Sequence, residues 1–197
     1  TFVSKRKLPL LGDILQRLFF FNDTATSEIY TNVDIALQPH FYAAVAKLAE
    51  QGLDAFVINR RTIPAYTALD ELPLMYAELG QEHPGHDCFV FKRDLFPKFE
   101  LGDIALGANW VGRVLLWNLV AFAENFREFT DLHLTFHLGD DRAWKSPEFD
   151  DYAKYNRGQA EAVKNALADI AAQRLPDVPE ATPSRIYLQE LCRETLG

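Results

Sequence analysis

Cysteine and long apolar runs are both scarce in this sequence of 197 residues. Its two cysteines, Cys88 and Cys192, make neither a disulfide framework nor a CxxC metal pair, and we therefore predict a reducing, cytoplasmic location. No apolar run approaches the ~18 residues that a membrane helix needs. The most apolar stretch, residues 111–123, contains Arg113 and Asn118. The sequence thus predicts no membrane span in this chain.

Positive charge is also scarce. Twenty Lys and Arg residues stand against 28 Asp and Glu, which gives a net charge of −8. Proteins that bind duplex nucleic acid normally show a basic surface, so we expect no nucleic-acid partner. A local basic groove for phosphate is still compatible with this balance. GxSxG, GxGxxG, Walker and HExxH motifs are absent, which argues against four common enzyme classes.

The hydrophobic share of 48% is large enough for a folded core. Strand-like and helix-like patterns alternate along the chain, which predicts an α/β fold. We predict a main domain over residues 1–175 and a proline-containing connector with a last helix over 176–197. The predicted strands cover residues 35–37, 55–58, 88–91 and 132–137, and a further short strand is predicted within residues 99–107. The predicted helices cover residues 8–18, 41–51, 68–79, 110–126 and 148–172, with a last helix capped by Ser184.

The first candidate site lies in residues 30–35, which lead into the short apolar segment 35–37. Asn32 and Asp34 lie at positions i and i+2, which would place them on the same side of an extended segment. Divalent cations such as Mg²⁺ prefer oxygen ligands and often use one or two carboxylates plus substrate phosphates. The pair therefore predicts a metal site, and a simple strand-end aspartate is the alternative.

Two further candidates flank the predicted central strands. Arg60 and Arg61 follow a buried strand, where guanidinium groups can clamp a diphosphate or form a solvated basic corner. His86 and Asp87 end the predicted loop 81–87 just before the next strand. Loops of this kind often carry acid–base or metal-binding groups, although a lone loop histidine is often inert.

The last candidate lies in the strand-like segment 132–137. Its alternation predicts that His133, Thr135 and His137 share one face. His137 also clusters with Asp140 and Asp141 at the strand exit, which suggests a metal or diphosphate lip. A surface turn with two solvated aspartates is the alternative.

Taken in order, these segments resemble a GT-A-type glycosyltransferase of the nucleotide-diphospho-sugar transferase group. The resemblance extends over residues 32–165. It is carried by residues 31–37, 39–42, 58–63, 86–91, 107–118 and 134–144. It implies a partial GT-A-like mixed sheet with flanking helices, a divalent metal (Mn or Mg), a nucleotide sugar donor and an unknown acceptor.

The resemblance also implies roles for single residues. Asp34 matches the second acid of an Asp-x-Asp motif, whereas Asn32 stands where such enzymes carry the first acid. His137 matches a late metal-site histidine, and Asp87 or His86 matches the acceptor-side catalytic base. Only 31 residues precede Asn32. We therefore expect the early strands of the domain to be missing and the chain to be a fragment that need not be active by itself.

One segment resembles something other than a protein. Residues 19–31 resemble the translation of a short-read sequencing adapter, with the match running from Asn22 to Thr31 and Ser27 in place of Thr. We expect such a segment to pack poorly, with Phe19 to Phe21 exposed. An ordinary Thr/Ser-rich loop is the alternative.

Three functional hypotheses follow from these residues. The first is a fragment of a metal-assisted glycosyltransferase that uses a nucleotide-diphospho-sugar. The second is a metal-dependent phosphoesterase, which needs a tighter ligand set and two metals ~3.5–4 Å apart. The third is a binding or scaffold domain of the same fold without catalytic activity.

Overall fold

The computed structural model describes residues 7–21, 26–65, 70–139 and 145–193. The chain forms two compact units. The sheet unit comprises residues 28–91 and 125–141, and the helical unit comprises residues 1–27, 92–124 and 142–197. This division differs from the predicted boundary at residue 175. No helix in the described ranges combines the length and the apolar character that crossing a membrane would require.

The architecture is mixed α/β, as the sequence predicts. The helices are α1 (Leu11–Phe21), α2 (Phe41–Glu50), α3 (Val111–Phe122), α4 (Asp150–Arg174) and α5 (Pro183–Leu191). The strands are β1 (Ser27–Thr31), β2 (Ala36–Leu37), β3 (Ala55–Ile63), β4 (Gln81–Lys92), β5 (Phe126–Phe129) and β6 (Thr135–Leu138). Short 3₁₀ helices cover Leu72–Tyr76, Arg93–Lys98, Pro147–Phe149 and Leu175–Asp177.

The sheet is mixed, with the strand order β1-β4-β3-β6-β2, and β5 pairs with β3 outside this order. β4 is antiparallel to β3, whereas β5 and β6 are parallel to it. Along one edge of β3, residues 55–58 pair with β5, and residues 61–63 pair with β6. Asn59 and Arg60 therefore lie where β3 changes its parallel partner. We call this position the partner switch.

The predicted loop 81–87 is instead part of β4, so that prediction was wrong. The strand stays paired through two irregularities: Cys88 lies opposite Ile58 but His86 lies opposite Asn59, and Glu82 lies opposite Arg61. Extra residues in β4 are accommodated as bulges, which suit the chain near Pro84 because proline lacks a backbone donor. Bulges also interrupt the alternation of side chains, and polar residues enter the sheet here.

The predicted end of β3 at Asn59 was also wrong. The strand continues through Asn59, Arg60 and Arg61 to Ile63. These polar residues remain in the sheet because β6 supplies backbone partners from Arg61 onwards. Six residues of β3, from Ala55 to Arg60, are buried.

The core of the sheet unit lies between α2 and one face of the sheet. Phe41 and Val45, one helical turn apart, point from α2 into it, as the sequence spacing predicts. The helix ends before Gly52, whose φ of +87° suits glycine. The buried members of this core are Phe41, Val45, Leu53, Phe56, Ile58, Cys88, Val90, Phe129 and Leu134.

In the helical unit, α3, α4 and α5 pack against one another. The strand predicted over residues 99–107 is absent from this described segment, apart from a single bridge between Leu10 and Ala105. The physical reason is that side chains satisfy its backbone. Asn118 bonds the N–H and C=O of Glu100 (both 2.7 Å), and Asn156 bonds those of Ala105 (2.9 and 2.8 Å).

Part of the adapter-like segment is described. Residues 27–31 form β1, and Tyr30 is buried with its ring 6.1 Å from that of Phe89. The side chains of Phe19 to Phe21, whose exposure was predicted, lie outside the described part of the structure. Residues 22–25 lie outside it as well. The last helix begins at Pro183 with Thr182 as its N-cap, not Ser184.

Candidate functional site

Asp34 and His137 meet in the sheet unit. Asp34 lies in the turn 32–35, which is closed by a bond from the Ile35 N–H to the Asn32 carbonyl (3.2 Å). His137 projects from β6, and its Nε2 lies 3.2 Å from Asp34 Oδ2. The two residues are 103 positions apart in the chain. The family resemblance assigns both residues to one metal site, which requires their side chains to converge, and the structure brings the two side chains into contact.

The orientation of the His137 ring is fixed from its other nitrogen. Nδ1 lies 2.7 Å from the carbonyl oxygen of Gly139, and a carbonyl only accepts, so Nδ1 carries the proton and donates it. Gly139 has a φ of +73°, which favours glycine and turns the chain back at this point. A histidine held in this way presents Nε2 outward, which is the usual arrangement of metal-ligating imidazoles.

This arrangement has a direct electrostatic consequence. If Nε2 is unprotonated, its lone pair faces the carboxylate oxygen of Asp34, and two acceptors at 3.2 Å repel each other unless a positive charge joins them. A proton shared by the two groups or a cation bound by both would supply that attraction. The His137 side chain is 5% exposed and that of Asp34 is 53% exposed. The pair is thus anchored on one side and accessible on the other.

Asn32 does not share an extended segment with Asp34, so that part of the prediction was wrong. Residues 32–35 form a turn, and turns do not keep the i, i+2 alternation of a strand. Asn32 Nδ2 instead donates to Asp87 Oδ1 at 2.8 Å, and the Asn32 N–H donates to the Asp87 carbonyl at 3.2 Å. Asn32 therefore ties the turn to β4.

Asp87 is the centre of a buried charged cluster. Its Oδ2 lies 3.5 Å from Arg60 Nη1 and 3.9 Å from His83 Nδ1. Arg60 Nη2 also lies 3.3 Å from His83 Nε2. The side chains of Asp87 and Arg60 are 9% and 10% exposed. We call Asn32, Arg60, His83 and Asp87 the Asp87 cluster.

His86 belongs to a second polar contact. Its Nε2 lies 3.0 Å from Glu128 Oε1, which also accepts a bond from Asn59 Nδ2 at 3.2 Å. The sequence interpretation missed Glu128, because residues 126–129 were partly assigned to a helix. The four residues Phe126 to Phe129 show no alternation of apolar and polar side chains, so the local sequence carries no signal that places Glu128 on a strand.

The two arginines have different partners. Arg60 contacts the Asp87 cluster, whereas Arg61 donates from Nε to the Leu79 carbonyl and from Nη2 to the Gly80 carbonyl (2.9 Å). The structure therefore does not bring the two guanidinium groups to one ligand position as a matched clamp.

The polar groups of this region are neighbours in space. Asp34 and Asn32 are two residues apart, a span of at most about 7 Å of backbone. Asn32 contacts Asp87, so the Asp34–His137 pair and the Asp87 cluster are neighbours. Arg60 of the cluster and Asn59 of the His86–Glu128 contact both lie at the partner switch of β3.

Cys88 is not a nucleophile in this site. Burial, with a smaller contribution from the charge of Asp87, raises the pKa of its thiol to about 12. Burial likewise raises the pKa of Tyr30 to about 12. A thiol with such a pKa is almost entirely protonated at neutral pH and packs as an apolar group.

No protein-family model and no curated protein matches the chain. The site must therefore be interpreted from its own geometry.

Within the described ranges, no group of three or more His, Cys, Asp or Glu side chains could hold a metal ion. The predicted ligands Asp140 and Asp141 lie outside the described residues. The prediction that His133 shares one face of a strand with His137 was wrong, because β6 begins only at Thr135. Its ring instead lies 6.2 Å from that of Phe136, the residue beside His137 in the strand.

Proposed function

We propose that this chain carries the metal and acceptor part of a glycosyltransferase that uses a nucleotide-diphospho-sugar donor and a divalent cation, Mn²⁺ or Mg²⁺. The contact between Asp34 and His137 is the observation that carries the proposal. A carboxylate and an imidazole with its outer nitrogen presented are brought together from distant parts of the sequence. We also propose that the mixed sheet is a partial GT-A-like sheet.

The donor atoms fit a divalent cation that is shared with a substrate. Oxygen and nitrogen ligands lie 2.0–2.6 Å from such ions. A separation of 3.2 Å between Asp34 Oδ2 and His137 Nε2 suits adjacent ligand positions on one ion. Two protein ligands leave the other positions to water and to donor diphosphate oxygens, as is typical of Mg²⁺ sites. When bound, the ion would stabilise the negative charge that builds on the departing diphosphate.

Asp87 is our candidate for the base that takes the proton of the acceptor hydroxyl. It is linked through Asn32 to the turn that bears Asp34, which keeps it near the metal ligands. Its Oδ2 makes no hydrogen bond within the described residues, although it forms the ion pair with Arg60. His86 is the second candidate, with its Nε2 occupied by Glu128.

The phosphoesterase alternative receives less support. Two-metal hydrolysis requires a ligand set for ions ~3.5–4 Å apart. The described part of the chain offers Asp34 and His137 to a single ion. We therefore retain phosphate-ester hydrolysis only as an outcome to be measured.

The metal site is tested first, by titrating the purified chain with Mn²⁺ and following free Mn²⁺ by electron paramagnetic resonance. We expect binding that pyrophosphate, a stand-in for the donor diphosphate, strengthens. Asp34→Asn should weaken Mn²⁺ binding at least tenfold without changing the circular dichroism spectrum, because Asp34 is half exposed. Asp131→Asn makes the same chemical change at an exposed position of the sheet unit and should bind as the parent does.

The chemistry is tested by incubating the chain with UDP- and GDP-sugars or with phosphate esters, each with Mn²⁺ and Mg²⁺. We expect weak or no donor binding by the chain alone, and metal-dependent release of nucleoside diphosphate, abolished by Asp34→Asn, in a longer protein that contains the nucleotide-binding part. Release of phosphate from esters would favour the phosphoesterase instead. If the parent and Asp34→Asn bind Mn²⁺ equally, Asp34 is not a metal ligand. A binding domain without catalytic activity is then the better description of this chain.

A further inference from the structure

A cavity of about 440 Å³ opens on the sheet unit beside α2. Its volume lies within the range of ligand pockets in proteins, which is roughly 300–1,000 Å³. The apolar part of the wall is formed by Leu48, Leu132, Leu134 and Tyr76. The polar part of the wall comes from Gln38, His40, Lys47, Gln51 and His133.

The cavity is separate from the Asp34–His137 pair. Successive side chains of a strand point to opposite faces of the sheet. On β6, Phe136 packs against Tyr76 and His133, whose rings both belong to the cavity wall (6.0 and 6.2 Å). His137 follows Phe136 in the strand and contacts Asp34 on the other face.

A buried hydrogen bond preorganises the polar wall. Gln38 is 6% exposed, and its Nε2 lies 3.4 Å from the Tyr76 carbonyl and 3.2 Å from His133 Nε2. Because the amide nitrogen donates, His133 Nε2 is the acceptor in this contact, and the ring proton lies on Nδ1. The neutral imidazole is therefore fixed in one tautomer.

The charges around the cavity are of one sign. Lys47 contributes a positive charge, and none of the described residues that line the wall is acidic. Burial, followed by the charges of Arg61 and His40, lowers the pKa of His133. Burial disfavours a charge of either sign, so only the positive charges of Arg61, His40 and Lys47 favour an anion in this place.

We propose that this cavity is a second ligand site, which takes a small molecule with an apolar or aromatic body and one carboxylate. The apolar body contacts the leucines and Tyr76. The carboxylate lies near Lys47 and the imidazole of His133. This proposal does not depend on the proposed glycosyl transfer, because it uses residues on the opposite face of the sheet.

The test compares three probes of similar shape by calorimetry at pH 7: 2-naphthoate, its neutral amide, and 2-naphthylmethylamine. We expect naphthoate to bind at least tenfold more tightly than the amide, and the amine to show no binding. Lys47→Glu should weaken naphthoate binding at least tenfold. Lys154→Glu, the same change at an exposed position of α4, should leave it unchanged.

Ala44→Phe fills the cavity and should abolish binding of all three probes in a chain whose circular dichroism spectrum is unchanged. Asp34→Asn should leave naphthoate affinity intact, so that failure of the metal site and failure of this site are distinguishable. Equal affinity for naphthoate and the amide, tighter binding of the amine, or an absence of binding by all three would overturn the proposal.

Discussion

The two units of the molecule use their buried polar side chains in different ways. In the helical unit, Asn118 and Asn156 are both fully buried, and their amides bond backbone groups. Asn118 reaches Glu100 and Val114, and Asn156 reaches Ala105 and Asn109. These amides connect an irregular segment to a helix.

In the sheet unit, buried polar groups meet other side chains instead. Asp87, Arg60 and Asn32 contact one another, and Glu128 joins His86 to Asn59. Three buried oxygens, Asn59 Oδ1, Asp87 Oδ2 and Thr135 Oγ1, make no hydrogen bond within the described residues. Amides that saturate the backbone serve the fold, whereas polar side chains with unused oxygens, the charged Asp87 among them, retain capacity for a ligand.

The largest expected effect tests the structural half of this comparison. Asn156→Leu should lower the free energy of unfolding by roughly 2–6 kcal/mol, because the two buried backbone groups of Ala105 each lose a partner at about 1–3 kcal/mol. Urea denaturation measures the loss. Asn165→Leu, at an exposed position of the same helix, should change stability by less than about 0.5 kcal/mol. A small loss in Asn156→Leu would contradict the structural role.

The next effect tests the charged cluster. Asp87→Leu should lower the free energy of unfolding by about 3 kcal/mol, because the guanidinium of Arg60 remains buried without its carboxylate. The double variant with Arg60→Met should regain more than half of that loss, since apolar residues often replace a buried ion pair well. If the two losses simply add, the pair is not coupled, and the sheet unit resembles the helical unit more than we infer.

The smallest effect is a pH dependence at the cavity. In the folded chain the pKa of His133 is below its ordinary value of 6.5, because of burial and the charges of Arg61 and His40. The unfolded chain therefore binds a proton more readily, and stability should fall as pH decreases below about 6.5. His133→Gln should show a shallower fall between pH 7.5 and 5.5 in urea denaturation. Identical slopes would contradict the shift.

Local pattern predicted those elements whose partners are also local. The apolar spacing of Phe41 and Val45 gave α2, and a long stripe gave α4 within a few residues of its bounds. The extension of β3 beyond Ile58 was not predictable in this way. Its polar residues are held by β6, which lies far along the sequence. The bulged half of β4 was also not predicted, because Pro84 and Gly85 are typical of loops.

Some contacts among the candidate site residues could be expected from the sequence, and others could not. The convergence of Asp34 and His137 was expected from the family resemblance, and the structure places the two side chains together. The bond from Asn32 to Asp87 was not expected, because it crosses between strands that local pattern cannot pair. Glu128 was missed because β5 has only four residues, too few for a clear alternation.

The interleaving of the two units in the sequence has a consequence for biosynthesis. The sheet unit is completed only when residues 125–139 join the strands formed from residues 28–91, and the intervening residues 92–124 belong to the helical unit. Until then, β3 lacks both of its parallel partners, and one of its edges stays open to pairing with another chain. Such long-range parallel pairing is slow and exposes the chain to aggregation. A nascent chain of this protein therefore passes through a vulnerable interval before the last two strands emerge and close the sheet.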